Sequence, residues 1–453
     1  MFLLIATAVH LLSWDMPGRA QTTTERIPVQ KEQNEQFPPE TEALVKLARV
    51  DLKNSNQDEQ NAVSLKELIA EALERNPEIA AARRRLDAKR AQIPQAFAPP
   101  DPVISVTSMG NIVPFWVQTG DPSSARIVGF SQDIPYPGKL SLRGKTARME
   151  AEAERQSYEQ TWRNVITNLK TAYFDLYFFD RSLATVSRTS TLLEQFLKIA
   201  EARYEVGKGL QQDVLKAQTE ISILIERRTL LEQRRRSTVA LINSILLRPP
   251  EEPLQRVSDL KKSELPFTLE SLYQAALKDS PEIKRQERMI DSSQYTLTAA
   301  RKDFYPDFGV NVQYLQRDKM PDMWGLGVSV KIPLYFGQRQ RPAVQEAAAE
   351  LAGSRKEYEA LRAQTMFRVK DQYLTATTAA RLLQLYATGI IPQAALTLES
   401  SIASYQVGTS DFLTLLTNLV TVLTYELNYY EQLANYQKAL AQLEPLIGVE
   451  LAK

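Results

Sequence analysis

The side chains that most often carry chemistry are nearly absent from this chain of 453 residues: it has no cysteine and one histidine, His10. Without thiols there is no disulfide, thiolate metal site, cysteine nucleophile or lipid-modified N-terminal cysteine. No nucleophile–base pair or metal cluster offers a starting point for catalysis, and no glycine-rich phosphate loop is present. We therefore expect neither an enzyme nor a cofactor. Two carboxylates remain notable by position. Asp213 and Asp411 each follow a matched turn sequence, Tyr204-Glu205-Val206-Gly207 and Tyr405-Gln406-Val407-Gly408. An aspartate there can cap the helix that returns from the turn. Repeated around a symmetry axis, it can equally form a ring of carboxylates that favours cations.

The elements that must position these residues emerge from the rest of the chain. Fifty-five basic and 54 acidic residues leave a net charge of +1, so there is no global field to attract nucleic acid. The apolar run Met1 to Leu12, followed by Gly18-Arg19-Ala20, reads as a signal peptide over residues 1–20, which places His10 in a removable segment. Residues 21–62, rich in Gln, Glu, Asn and Pro, read as a leader without assigned chemistry. No other stretch approaches the roughly 18 uninterrupted apolar residues of a spanning helix, so any membrane crossing must use strands.

From residue 63 the chain reads as a doubled unit. Ser64-Leu65-Lys66-Glu67 is a capping box opening a helix to about residue 97, with Asn76-Pro77-Glu78-Ile79 inside it. Thr268-Leu269-Glu270-Ser271 and Ser280-Pro281-Glu282-Ile283 recur about 204 residues later, without the acidic residue of the box. Pro100-Asp101 matches Pro306-Asp307, and Ile134-Pro135 matches Ile332-Pro333, in the same order. The expected units are residues 63–247 and 267–447, joined by a proline-rich linker over 248–266 and followed by a tail over 448–453. The expected long helices cover about 140–206 and 341–406, and shorter ones about 211–247 and 411–447. At 1.5 Å per residue the longest reach roughly 100 Å, too long for a compact core. Pro392 marks a kink or fresh start. Phe412, Leu415, Leu419, Val422, Tyr429, Leu433, Tyr436, Leu440, Leu443 and Ile447 form a coiled-coil seam that only Glu426 interrupts. The short helices at 64 to about 97 and 211 to about 247 have a summed length near that of the long helix they flank, so stacked end to end they would run alongside it.

Between the helices the period changes to two. Phe308, Val310, Val312 and Tyr314, then Trp324, Leu326, Val328 and Val330, alternate with Gly, Asn, Gln, Ser and Lys within about 307–333. A noisier pair lies within about 102–134, with Ile104, Val106, Val128, Phe130 and Ile134 on one face and a longer, turn-rich loop between its strands. Four strands are too few to close a barrel, and open edges do not survive in lipid. Three copies supply twelve strands, with Val310, Val312, Trp324, Leu326 and Val328 facing lipid and Gly325 to Lys331 lining the lumen. Tyr136, Phe304, Tyr305, Tyr335 and Phe336 at one end, and Phe115, Trp116 and Trp324 at the other, suit interfacial girdles or strand–helix packing.

Over about residues 64 to 447 the chain resembles the TolC-like outer-membrane factors, the outer membrane efflux proteins of tripartite pumps and type I secretion, particularly the branch typified by CzcC and CusC. The most specific marks are the paired Tyr-x-Val-Gly turns, Gln212-Asp213-Val214-Leu215-x-Ala217-Gln218, Asp411-Phe412-Leu413 and the Ile-Pro after each second strand. The resemblance implies an α+β membrane protein: a homotrimer whose 12-stranded β-barrel continues into a periplasmic α-helical coiled-coil barrel. It further implies passive export for an inner-membrane pump, RND or ABC type, through a periplasmic adaptor. Carried over by position, Tyr204, Val206, Gly207, Tyr405, Val407 and Gly408 become adaptor-contacting tips, and Asp213 and Asp411 candidate gate residues. Many relatives in that branch carry a lipidated N-terminal cysteine; here the barrel alone is expected to anchor the protein. The first unit has more residues between glycine and aspartate, five against two, which suggests a longer first tip turn and threefold symmetry at any constriction. The competing reading is a soluble coiled-coil scaffold whose hairpins dock on partners. Transported cargo is not legible, and no Met, His or Cys cluster suits soft metals.

Overall fold

The structure, a computed structural model, describes residues 63–110, 117, 119–260 and 265–451. The expected signal segment with His10, the leader to residue 62, Phe115-Trp116 and the final residues 452–453 lie outside the described residues. In chain order the elements are α1 (Leu65–Arg75), α2 (Pro77–Phe97), β1 (Val103–Met109), β2 (Ala125–Ile134), α3 (Lys139–Glu205) and α4 (Gln211–Ile245). The same order then recurs as α5 (Leu269–Asp279), α6 (Pro281–Lys302), β3 (Asp307–Gln316), β4 (Met323–Lys331), α7 (Gln340–Leu385) with α8 (Ile391–Gln406), and α9 (Phe412–Ile447). Among the described residues no helix is long and apolar enough to cross a membrane.

The helix expected from 64 to 97 is broken at Asn76, and its counterpart at Ser280. Proline excludes helical geometry from the residue before it, and Asn76 and Ser280 have ψ of 123° and 124°. Asn76 then caps α2: its Oδ1 accepts from Glu78 N at 2.9 Å and Ile79 N at 3.2 Å. The capping box fails where its sequence is complete and holds where it is not. Ser64 makes no side-chain cap bond, whereas Thr268 Oγ1 accepts from Ser271 N at 3.3 Å.

End-to-end stacking is realised in the first half. Asn76 Nδ2 donates to Ile245 O at 2.9 Å, tying the start of α2 to the end of α4, and α3 runs along both. On its other side α3 packs on α6 and α9, so the 67-residue helix knits the two halves together. Pro392 acts one turn upstream. The missing N–H and the ring of proline disturb the preceding turn, and Tyr386–Ile390 widens into a π turn in which Ile391 N donates to Tyr386 O. The predicted seam is the buried face of α9: Phe412, Leu415, Leu419, Leu433, Tyr436, Leu440, Leu443 and Ile447 are all buried.

The four strands form one antiparallel sheet in the order β1-β2-β3-β4. Its register puts Ile104, Phe130, Val312 and Leu326 in one cross-strand row, and Val106, Val128, Tyr314 and Trp324 in the next. The opposite face carries rows such as Ser105, Gly129, Gln313 and Gly325. A Cβ on Gly129 would lie 2.6 Å from Ser105 Oγ, and one on Gly309 2.5 Å from Ser329 Oγ. Both outer edges, β1 and β4, are open among the described residues.

Candidate functional site

The ends of the long helices are built by one device used twice. Gly207 takes φ +72° and Gly408 φ +80°, the left-handed region that other residues avoid. Around them the chain folds back in a Schellman arrangement: Lys208 N donates to Arg203 O at 2.8 Å and Thr409 N to Ser404 O at 2.9 Å. A Cβ on Gly207 would meet nothing within 4 Å, so backbone conformation rather than close contact within the chain requires glycine there.

The two turns are equal in length, which corrects the longer first turn expected from sequence. Residues 206–210 separate α3 from α4, and 407–411 separate α8 from α9. The aspartates differ because they occupy different positions. Asp411 is the N-cap of α9 and its Oδ1 accepts from Thr414 N at 2.9 Å, whereas the N-cap of α4 is Leu210, and Asp213 lies within the first helical turn without capping it. Their electrostatics diverge accordingly. The side-chain and backbone hydrogen bonds of Thr414 hold Asp411 below the usual carboxylate range. Asp213 is pushed up, first by burial and then by the charge of Asp411.

Between the tips sits a residue that sequence reasoning missed. Arg203 donates from Nη2 to Gln406 O at 3.1 Å and lies 4.5 Å over the Tyr405 ring. Tyr405 is in turn packed against Phe412 at 5.7 Å between ring centres. A cation in the last turn of a helix complements the helix dipole and is too common there to stand out in sequence. Of the predicted tip residues, Tyr204, Val206 and Val407 are exposed, while Tyr405 is only 4% exposed and shapes the tip from inside.

The strand residues expected to face lipid share one face, and Trp324, Leu326 and Val328 are 73%, 77% and 70% exposed. Trp324 leans on Tyr314, 5.0 Å between ring centres, and Tyr136 stacks on Tyr305 at 4.7 Å, whereas Tyr335 is uncovered. Among the described residues no group of three or more His, Cys, Asp or Glu could hold a metal ion.

A sequence profile of the outer membrane efflux protein family matches residues 68–243 and again 272–449. The chain belongs to this family. Its members are outer-membrane efflux channels and not enzymes. Within the family, the outer membrane efflux protein BepC of Brucella suis is 23% identical over 222 residues, a match spanning 47% of each chain, so about half the length of that relative is aligned. Among solved structures, CusC superposes with a TM-score of 0.74 at 17% identity, covering 88% of this chain and 95% of that one. VceC of Vibrio cholerae gives 0.73 at 16%, covering 86% and 96%. These likenesses show a shared TolC-like fold.

One buried group in this family member stands apart from the tips. Glu426 interrupts the α9 seam yet stays in it, 2% exposed, paired with Arg188 of α3, and its Oε1 has no partner among the described residues. Burial pushes its pKa up, and the charge and hydrogen bond of Arg188 offset only part of that. Because the folded pKa lies above the ordinary value of 4.5, ionising Glu426 costs stability. That cost is absent below the ordinary value and grows as pH rises toward the folded one. Glu426→Gln is therefore expected to raise the melting temperature of the detergent-solubilised protein at pH 8 and leave it unchanged near pH 4. A melting temperature lowered at pH 8 would show that the ion pair outweighs desolvation.

Proposed function

We propose that three copies of this chain form a passive exit duct in the outer membrane: a 12-stranded β-barrel continued by a periplasmic α-helical barrel built from the doubled unit. The observation that carries this reading is the sheet. One face is apolar, exposed on β1, β2 and β4 and half-buried on β3, the other is polar, and both edges are unpaired among the described residues. In water such a sheet exposes a large apolar surface; in lipid that surface is required, and only closure satisfies the edges. Helices of about 100 Å then extend the lumen away from the membrane.

Cargo would be handed over by an inner-membrane pump, RND or ABC type, through a periplasmic adaptor that meets the tips. Val206 and Val407 are exposed there for contact, with Tyr204 beside them and Gly207 and Gly408 setting the turns. Asp213 and Asp411, three of each around the axis, would form the constriction. The charge of Asp411 felt at Asp213 supports this reading, since like charges there favour a cation between them or separation of the tips. The test is direct: the protein should fractionate with outer membranes, run as a heat-resistant trimer in mild detergent and conduct ions in planar bilayers. Recovery as a monomer soluble without detergent rules the duct out.

A further inference from the structure

The two hairpins of the sheet can be compared residue by residue. Asp101 and Asp307 are 206 residues apart, and Ile134 and Ile332 are 198 apart. Applied to Val103↔Ser131 of the β1–β2 pair, these offsets give Gly309↔Ser329, the pairing found in β3–β4. The two hairpins therefore share one register, residue for residue. The β2–β3 seam that joins them has no counterpart within the chain, because β4 and β1 lie at opposite edges. Translating that seam by the same offsets turns Phe130↔Val312 into Val328 opposite Val106, and Ser131↔Asn311 into Ser329 opposite Ser105. Both offsets are even, so the translated seam keeps apolar opposite apolar and polar opposite polar. A slip of one residue would have reversed them.

The chain just below the strands supports the same juxtaposition. Within the chain, the turn from β2 into α3 is clasped by the start of β3: Asp307 Oδ1 accepts from Tyr136 N at 2.7 Å and from Lys139 Nζ at 2.9 Å, and Lys302 Nζ donates to Pro137 O at 3.0 Å. The counterpart of Asp307 is Asp101, which is exposed and makes no hydrogen bond or ion pair among the described residues. The counterpart turn, 333–339, leaves Leu334 73% and Tyr335 77% exposed. Gly207 and Gly408 are 201 residues apart, which carries Lys139 onto Gln340. Arg339 and Arg341 flank it. An acid without its cation thus sits at one edge of the chain, and an uncovered turn with two cations at the other.

We propose that β4 of one copy docks on β1 of the next in the register that sets Val328 opposite the partner subunit's Val106, and that Arg339 and Arg341 clasp the partner subunit's Asp101. This deepens the trimeric reading and rests on it. The natural absence of cysteine gives a clean background for the test, and cell-envelope oxidation suits disulfides. Ser105→Cys with Ser329→Cys should form, on oxidation of the intact protein, a covalent trimer that survives boiling in SDS without reductant. Thr107→Cys with Ser329→Cys moves one partner two residues along the strand, to about 7–8 Å, at the limit a disulfide spans; it should cross-link roughly tenfold less. Equal or preferential cross-linking of the shifted pair, with the trimer intact, overturns the register and leaves the duct standing. A parent protein that is not trimeric overturns both. For the clasp, Asp101→Arg should lower the heat resistance of the trimer, and combining it with Arg339→Asp and Arg341→Asp should restore it. No restoration, with the cysteine register confirmed, removes the clasp.

Discussion

Leu326→Arg is expected to abolish assembly of the protein in the outer membrane. Leu326 lies mid-strand in β4, opposite Val312, and is 77% exposed on the continuous apolar face. An arginine facing lipid costs about 2–4 kcal/mol near the bilayer midplane, and a trimer would carry three of them. The sum is comparable to the whole net stability of an ordinary domain, about 5–15 kcal/mol. Ser329→Lys, on the opposite face of the same strand, places its charge in a hydrated lumen and should assemble normally. The contrast separates the duct from a soluble scaffold. On a scaffold with an uncovered sheet, arginine at Leu326 would be harmless or would improve solubility. Heat-resistant trimer in the membrane fraction is the readout, and trimer at the parental level for Leu326→Arg sinks the lipid-facing assignment.

Much of this architecture was legible because its signals are local and strong. Alternation over 307–333 predicts β3 and β4 nearly to their ends, since a half-buried strand must alternate. The absence of proline between Pro137 and Pro249 predicts α3 and α4, and Gly207 predicts their junction. What sequence did not reveal depends on competition between neighbours. Asn76 and Ser280 interrupt a continuous helical pattern, because proline acts on the residue before it even when helix resumes at once. Pro392 suggested a kink or a fresh helix start, and α8 does start afresh at Ile391, with the five-residue π turn Tyr386–Ile390 just upstream as the feature not foreseen. The aspartates invited comparison because both follow a glycine, yet Asp411 aligns with Leu210 and Asp213 with Thr414 once the 201-residue spacing of the tips is applied. Only Asp411 caps. Arg203 was invisible for a further reason: its partners, Tyr405 and Gln406, lie about 200 residues away, and its counterpart in the second half is Ser404.

That inequality leads to the second large expected effect, because Arg203 is the side chain that ties the first tip to the second. Its bond to Gln406 O is charge-assisted, and such bonds contribute about 1.5–3 kcal/mol when well shielded. Its stacking on Tyr405 adds about 0.5–1 kcal/mol at a partly exposed site. Discounting the bond for solvent access leaves about 2 kcal/mol per copy, roughly a 30-fold shift between tips held together and tips apart. Arg203→Ala should remove that tie. In planar bilayers Arg203→Ala should spend far more time in a high-conductance state than the parent, and Arg203→Lys, which keeps charge but loses the planar stack, should fall between them. Asp213→Asn should oppose the effect by removing one of the two repelling charges, and the double variant should lie closer to the parent than Arg203→Ala does. Unchanged conductance in Arg203→Ala, with trimer yield intact, would place the constriction away from these tips. A conductance rise that Asp213→Asn fails to offset would keep the tie but remove the aspartates from the gate.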